Sequence, residues 1–121
     1  MANTFKTITF AAEPASAGTS YLMYTTAGST TTVVLGLILT NIHTTAVTAS
    51  VQLDSNTGNR NGNNNVTNGV SELIKNVSIP SGSSLEILTG SKVVLETTDA
   101  IKVDCSVADK LSGTLSIMEI T

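Results

Sequence analysis

The sequence predicts an all-β chain: an antiparallel β-sandwich, jelly-roll-like, of about eight or nine short strands. Three observations predict it. β-Branched residues dominate, and helix signals are almost absent. Gly, Asn and Ser-Gly pairs punctuate the chain at short intervals. Between those breaks apolar residues recur at alternate positions, most plainly in Ile101, Val103, Cys105 and Val107, with Lys102, Asp104 and Ser106 between them.

Strands are expected over Thr4–Ala11, Ser20–Thr25, Thr31–Ile42, Val47–Asp54, Glu72–Ile79, Ser84–Leu88, Lys92–Glu96, Ala100–Val107 and Gly113–Ile120. The first, within MANTFKTITF, reads as the opening strand of the chain's own sandwich. A second reading lets it extend a neighbour's sheet by strand addition, with Phe5 or Phe10 as anchor. In the third, VVLGLILTNI, Val33, Leu35, Leu37 and Leu39 form one apolar row, and Val34, Ile38 and Ile42 form a second on the opposite face. A strand apolar on both sides must be covered on both sides. Either it runs mid-sheet beneath a second layer, or another subunit closes its outer row; left open, it invites aggregation. The fourth strand alternates Val47, Ala49, Val51 and Leu53 against Thr48, Ser50 and Gln52, one face inward and one toward water.

Residues 55–69, SNTGNRNGNNNVTNG, are rich in Asn and Gly, which tolerate positive φ and build no core, so a loop or hairpin tip is expected there. Pro and Gly mark the turns between the later strands. Off-phase apolar residues recur at Val94, Met118 and Ile120. These rows nominate Val34, Ile38, Ile42, Met118 and Ile120 as interface residues of a homo-oligomer, and the candidate anchor Phe5 joins them.

At 121 residues the chain suits one sandwich domain spanning 1–121, long enough to bury a core without metals or disulfides. Charged residues make up only 12%, about half the usual share, and Ser, Thr, Asn and Gly take their place. Net charge is −3, and the six basic residues are scattered, so no stripe exists to neutralise phosphates. Aromatics total 3%, too few for single-strand stacking, and nucleic acid is not an expected partner. No apolar run approaches the roughly 20 residues that cross a bilayer as a helix, and no membrane partner is expected. The N-terminal patch ITFAA is too short for a signal peptide and Glu13 interrupts it, which reads as a chain made and kept in a cytoplasm.

The inventory of reactive groups is sparse. His43 is the sole histidine and Cys105 the sole cysteine, and the two are too few for a zinc site. No Ser/His/Asp arrangement can be assembled without His43, which sits just past the long strand, where a plain turn histidine is expected. Cys105 lies at an inward position of an alternating strand, which favours an inert core thiol. No two carboxylates have a spacing that pairs them, and no calcium-loop motif is present. The segments GSTTT and GTS lack the lysine and helix of a phosphate loop. The expectation is a non-enzyme with no catalytic, cofactor or metal-binding residues.

The run IPSGSSLEILTGSKVVLETTDAIKVDCSV, with LSGTLSIMEIT at the C-terminus, resembles small virion structural proteins of tailed phages, especially marine phages of cyanobacteria. The matching positions are Ile79, Pro80, Gly82, Ser83, Ser84 and Leu85, then Lys92 to Leu95, then Asp99, Ile101, Lys102 and Val103, and finally Met118, Glu119 and Ile120. TTVVLGLILTN is similar to that family's central strand, whereas the 55–69 loop departs from its pattern. The resemblance implies a β-sandwich on the virion surface. It implies a capsid decoration (cement) protein, trimeric, with the major capsid protein as partner. A tail, neck or fibre-base position is the competing virion reading. Outside that class stands a β-sandwich adhesin or carbohydrate-binding module using the 55–69 loop.

Overall fold

Alternation along each strand becomes, in three dimensions, two antiparallel sheets stacked on their apolar faces. The computed structural model describes residues 2–55, 69–88 and 92–121. Nine strands run through them: β1 (Asn3–Glu13), β2 (Tyr21–Thr25), β3 (Thr31–Asn41), β4 (Val47–Asp54), β5 (Val70–Ile79), β6 (Ser84–Ile87), β7 (Val93–Leu95), β8 (Ala100–Cys105) and β9 (Leu111–Ile120). One sheet has the order β1-β9-β3-β6, with β7 also paired to β3, and the other has the order β2-β8-β4-β5. With β6 and β7 both paired along β3, the strands fill eight positions. The chain passes back and forth between the sheets and returns to place β9 beside β1, so the topology is a jelly roll.

The core is where the two alternations meet. Ala49 and Val51 of β4 and Ile101, Val103 and Cys105 of β8 look toward Leu37 and Leu39 of β3 and Leu111, Leu115 and Ile117 of β9; each is 2% exposed or less. At one end Phe10 of β1 meets Tyr21 of β2 edge-to-face, ring centroids 5.1 Å apart, joining the two edge strands across the layer.

Strand ends match the expected ones within about two residues, because the turn chemistry that ends them is local. Ser83 N–H donates to Pro80 O at 3.1 Å, and Gly82 supplies the positive φ of 70° that this turn requires. The loop expected over 55–69 lies outside the described residues except at its ends, where Ser55 N–H donates to Gly69 O at 3.0 Å.

Strand β3 departs from simple alternation at a point that matters for the outer face. Val34 pairs with Ile117 and Gly36 with Ser116, so Leu35 is an extra residue in β3. Such a bulge inverts side-chain parity beyond it. Before it Thr32 and Val34 face the core; after it Leu37, Leu39 and Asn41 do. The expected pair of continuous rows on this strand therefore does not exist. Val34 is fully buried in the chain's own core and is no surface residue, whereas Val33 and Leu35 lie half-buried.

Candidate assembly surface

The outer face of the first sheet carries what the bulge leaves outside. Register places Phe5 opposite Met118, Met118 opposite Val33, and Val33 opposite Val94. Because directly paired residues share a face, these four side chains form one apolar row across β1, β9, β3 and β7. Phe5 is 70% exposed and Val94 55%. Ile120, paired with Asn3 and Thr31, continues the patch on one side. Ile38, paired with Thr114 and Glu86 and 40% exposed, lies on the other.

The strand segments between these residues present hydroxyls: Thr7 and Thr9 on β1, Ser112, Thr114 and Ser116 on β9, Thr40 on β3 and Ser84 on β6. Among the paired outward positions of this sheet, Glu86 is the sole charged residue. Beside the row, at the bulge, the face dips into an open hollow of about 280 Å³. Leu35, Gly36, Ile38, Glu86, Thr114 and Ser116 line it. Gly36 makes the depth: a β-carbon added there would meet nothing within 4 Å.

Of the six nominated residues, the structure gathers Phe5, Ile38, Met118 and Ile120 on this face. Val34 is inside, and Val33, its neighbour, takes the outward place. Ile42 is 47% exposed but lies just beyond the end of β3, where its N–H donates to Lys110 O at 3.0 Å. Val94 is off-phase in the sequence but is not one of the six nominated residues; only its pairing with Val33 brings it into the row.

The polar residues do structural work. Lys6 Nζ lies 2.7 Å from Glu119 Oε1, and the Tyr24 hydroxyl donates to Glu119 Oε2 at 2.6 Å. With its one proton committed, the Tyr24 oxygen accepts from Thr32 Oγ1 at 2.8 Å. This chain of contacts ties β2 to β1, β3 and β9 across the layer. Lys6 foremost, and then the Tyr24 hydroxyl, hold the Glu119 carboxyl below the usual carboxylate range. Burial foremost, and then the adjacent Glu119 carboxylate, push the Tyr24 phenol up.

Asn41 was not singled out from the sequence, yet it is fully buried. Its Nδ2 donates to Thr45 O at 3.0 Å and to Ile79 O at 2.9 Å, and its Oδ1 accepts from His43 N at 2.7 Å. A polar residue ending an apolar strand before a short turn is the signal that could have found it. Among the described residues, no three His, Cys, Asp or Glu side chains converge as metal ligands. The Cys105 thiol is buried in the core.

No protein-family model matches the sequence, and no curated protein sequence matches it. Solved structures do. A chain in the structure of infectious bursal disease virus, Gx strain, aligns with 98% of this chain at a TM-score of 0.50 and 12% identity. The likeness is one of fold. This chain spans 33% of that viral chain. A chain from Bacillus endospore appendages, described as disulfide-linked pili, aligns over 99% of this chain and 87% of its own length, with a TM-score of 0.46 and 15% identity. A chain of the same virus, Gt strain, aligns over 97% of this chain and 32% of its own, with a TM-score of 0.39 and 13% identity.

Proposed function

We propose that this chain is a structural protein of a tailed-phage virion, a capsid decoration protein that binds the shell of major capsid protein and stabilises it without making or breaking bonds. The observation that carries the reading is the row Phe5–Met118–Val33–Val94, an apolar strip across four strands on an almost uncharged face. Such a face is stabilised by being covered with protein. It loses little affinity as salt rises, because apolar and main-chain contacts are not screened as ion pairs are. Repetition over a symmetric shell multiplies a modest affinity per copy. The resemblance of the 79–107 segment to virion proteins supports the same assignment.

A sugar-binding module is less well supported. Phe10 is buried, Tyr21 packs on it, and Tyr24 is held in the Glu119 network, which leaves Phe5 as the one well-exposed aromatic ring for stacking on a sugar.

The test is to mix the purified chain with shells that lack it and to locate it by cryo-electron microscopy. Stoichiometric density over the shell lattice is the expected result. Density confined to the tail vertex or neck would reassign it to the tail, and no association with particles would end the proposal.

A further inference from the structure

Phe5 and the hollow over Gly36 share one face of one sheet. Phe5 projects from β1, the hollow opens on β3, and β9 lies between them. Two strand spacings across and two residues along separate them by roughly 12 Å. A prominent ring and an empty recess on the same face are the two halves of a self-complementary contact.

We propose that this face is covered by a second copy of the chain, stacked back to back about a two-fold axis, with Phe5 of each copy seated in the hollow over Gly36 of the other. The inference rests on the functional reading above only in its premise that this face is covered with protein; the cover is a second copy, and the shell is then met by the dimer's remaining surface. A two-fold axis lying between the stacked sheets, midway between Phe5 and Gly36, exchanges knob and recess and makes both contacts at once. Met118 and Ser116, on the intervening strand, then lie near the axis and meet their own twins.

Charge and area favour this occupant. Glu86, at the hollow's rim, is the sole charge among the paired outward positions, so stacking two copies brings no cluster of like charges together there. Three strands of ten or eleven residues, with the short β6 and β7 end to end beside β3, present roughly 600 Å² per copy, so a pair that overlaps over most of the face approaches the ~1,000 Å² that a specific interface needs. The three-fold assembly expected from the resemblance is disfavoured through this surface. A ring needs its two contact patches on differently directed sides of the molecule, whereas here they point the same way.

Sedimentation velocity on the full chain tests it, with a dimer of the 12.5 kDa chain as the expected species. Phe5→Ser, at an exposed position, and Gly36→Val, which fills the hollow, should each weaken association by about tenfold or more while circular dichroism stays that of the folded chain. Met118→Cys should crosslink to its twin through a short bifunctional thiol reagent that spans the roughly 10 Å between stacked sheets, since Cys105 is buried and does not compete. A monomer at every concentration, a trimer, or a dimer indifferent to both substitutions overturns the proposal. Shell binding, measured separately, keeps the two ideas apart. A dimer that ignores shells upholds this pairing and sinks the decoration role; a monomer that binds shells does the reverse.

Discussion

The ring of Phe10 on β1 lies directly over the backbone of Gly113 on β9, its paired residue, and occupies the space where a β-carbon would stand. The glycine is there to admit the ring, which is itself wedged against Tyr21 of the opposite sheet. Gly113→Ala should therefore destabilise the fold by about 1–3 kcal/mol through overpacking. Phe10→Ala should cost about 3–5 kcal/mol through the cavity it leaves. The double variant should be more stable than the sum of the two losses, since removing the ring removes the clash. Urea unfolding of the three variants measures the coupling.

Asn41 makes a second prediction. Asn41→Leu has similar bulk but strands Ile79 O and His43 N–H, so a loss of about 3 kcal/mol is expected, given ~1–3 kcal/mol for each unpaired buried group. Asn41→Asp keeps the acceptor and loses both donated bonds, and it should also destabilise. Chemical denaturation gives the ranking against wild type.

The Tyr24–Glu119–Lys6 contacts set a pH dependence at both ends. The Glu119 carboxyl is lower in the folded state than in the unfolded chain, so between those values the unfolded chain holds more protons. Its contribution is present above the ordinary carboxylate range and is lost as pH falls through the lowered folded value. Tyr24 has the opposite sense: its phenol is raised, so its contribution is present below about pH 10 and is lost as pH rises through the raised value. Glu119→Gln should flatten the acid limb of stability against pH, and Tyr24→Phe the alkaline limb. An acid limb unchanged in Glu119→Gln would show that this cluster does not set it.

The bulge in β3 predicts a sharp contrast between neighbours. Val34→Asp buries a charge in the core and should prevent folding. Val33→Asp, one residue earlier, should leave the thermal transition nearly unchanged and abolish association through the outer face. Calorimetry and sedimentation on the two variants decide it.

Cys105, enclosed at 2% exposure, should react with a thiol reagent only as fast as the chain unfolds. Rapid modification under native conditions would contradict the core placement.

Much of the architecture was legible because strand signals are local. Alternation at Val47–Leu53 and Ile101–Cys105, and turn chemistry such as Pro80–Gly82, act within a few residues of themselves, so β4, β8 and the ends of most strands follow from the sequence read in order. Part of the surface was legible too. Met118 and Ile120 stood out as apolar residues out of phase with their strand, Ile38 as part of a second apolar row and Phe5 as a candidate anchor, and a residue that cannot face the core must face something else.

What the chain alone determined is which segments are strands and that more apolar side chains exist than one core can hide. Which of them remain outside was decided by tertiary structure. The extra residue at Leu35 is visible only once β3 is laid against β9, and it moves Val34 inward and Val33 outward. Likewise Phe5, Met118, Val33 and Val94, spread from one terminus to the other, become a row only through cross-strand register. Side-chain parity is a property of one strand, but bulges and register are set by long-range hydrogen bonding between strands far apart in sequence, and no local pattern encodes that.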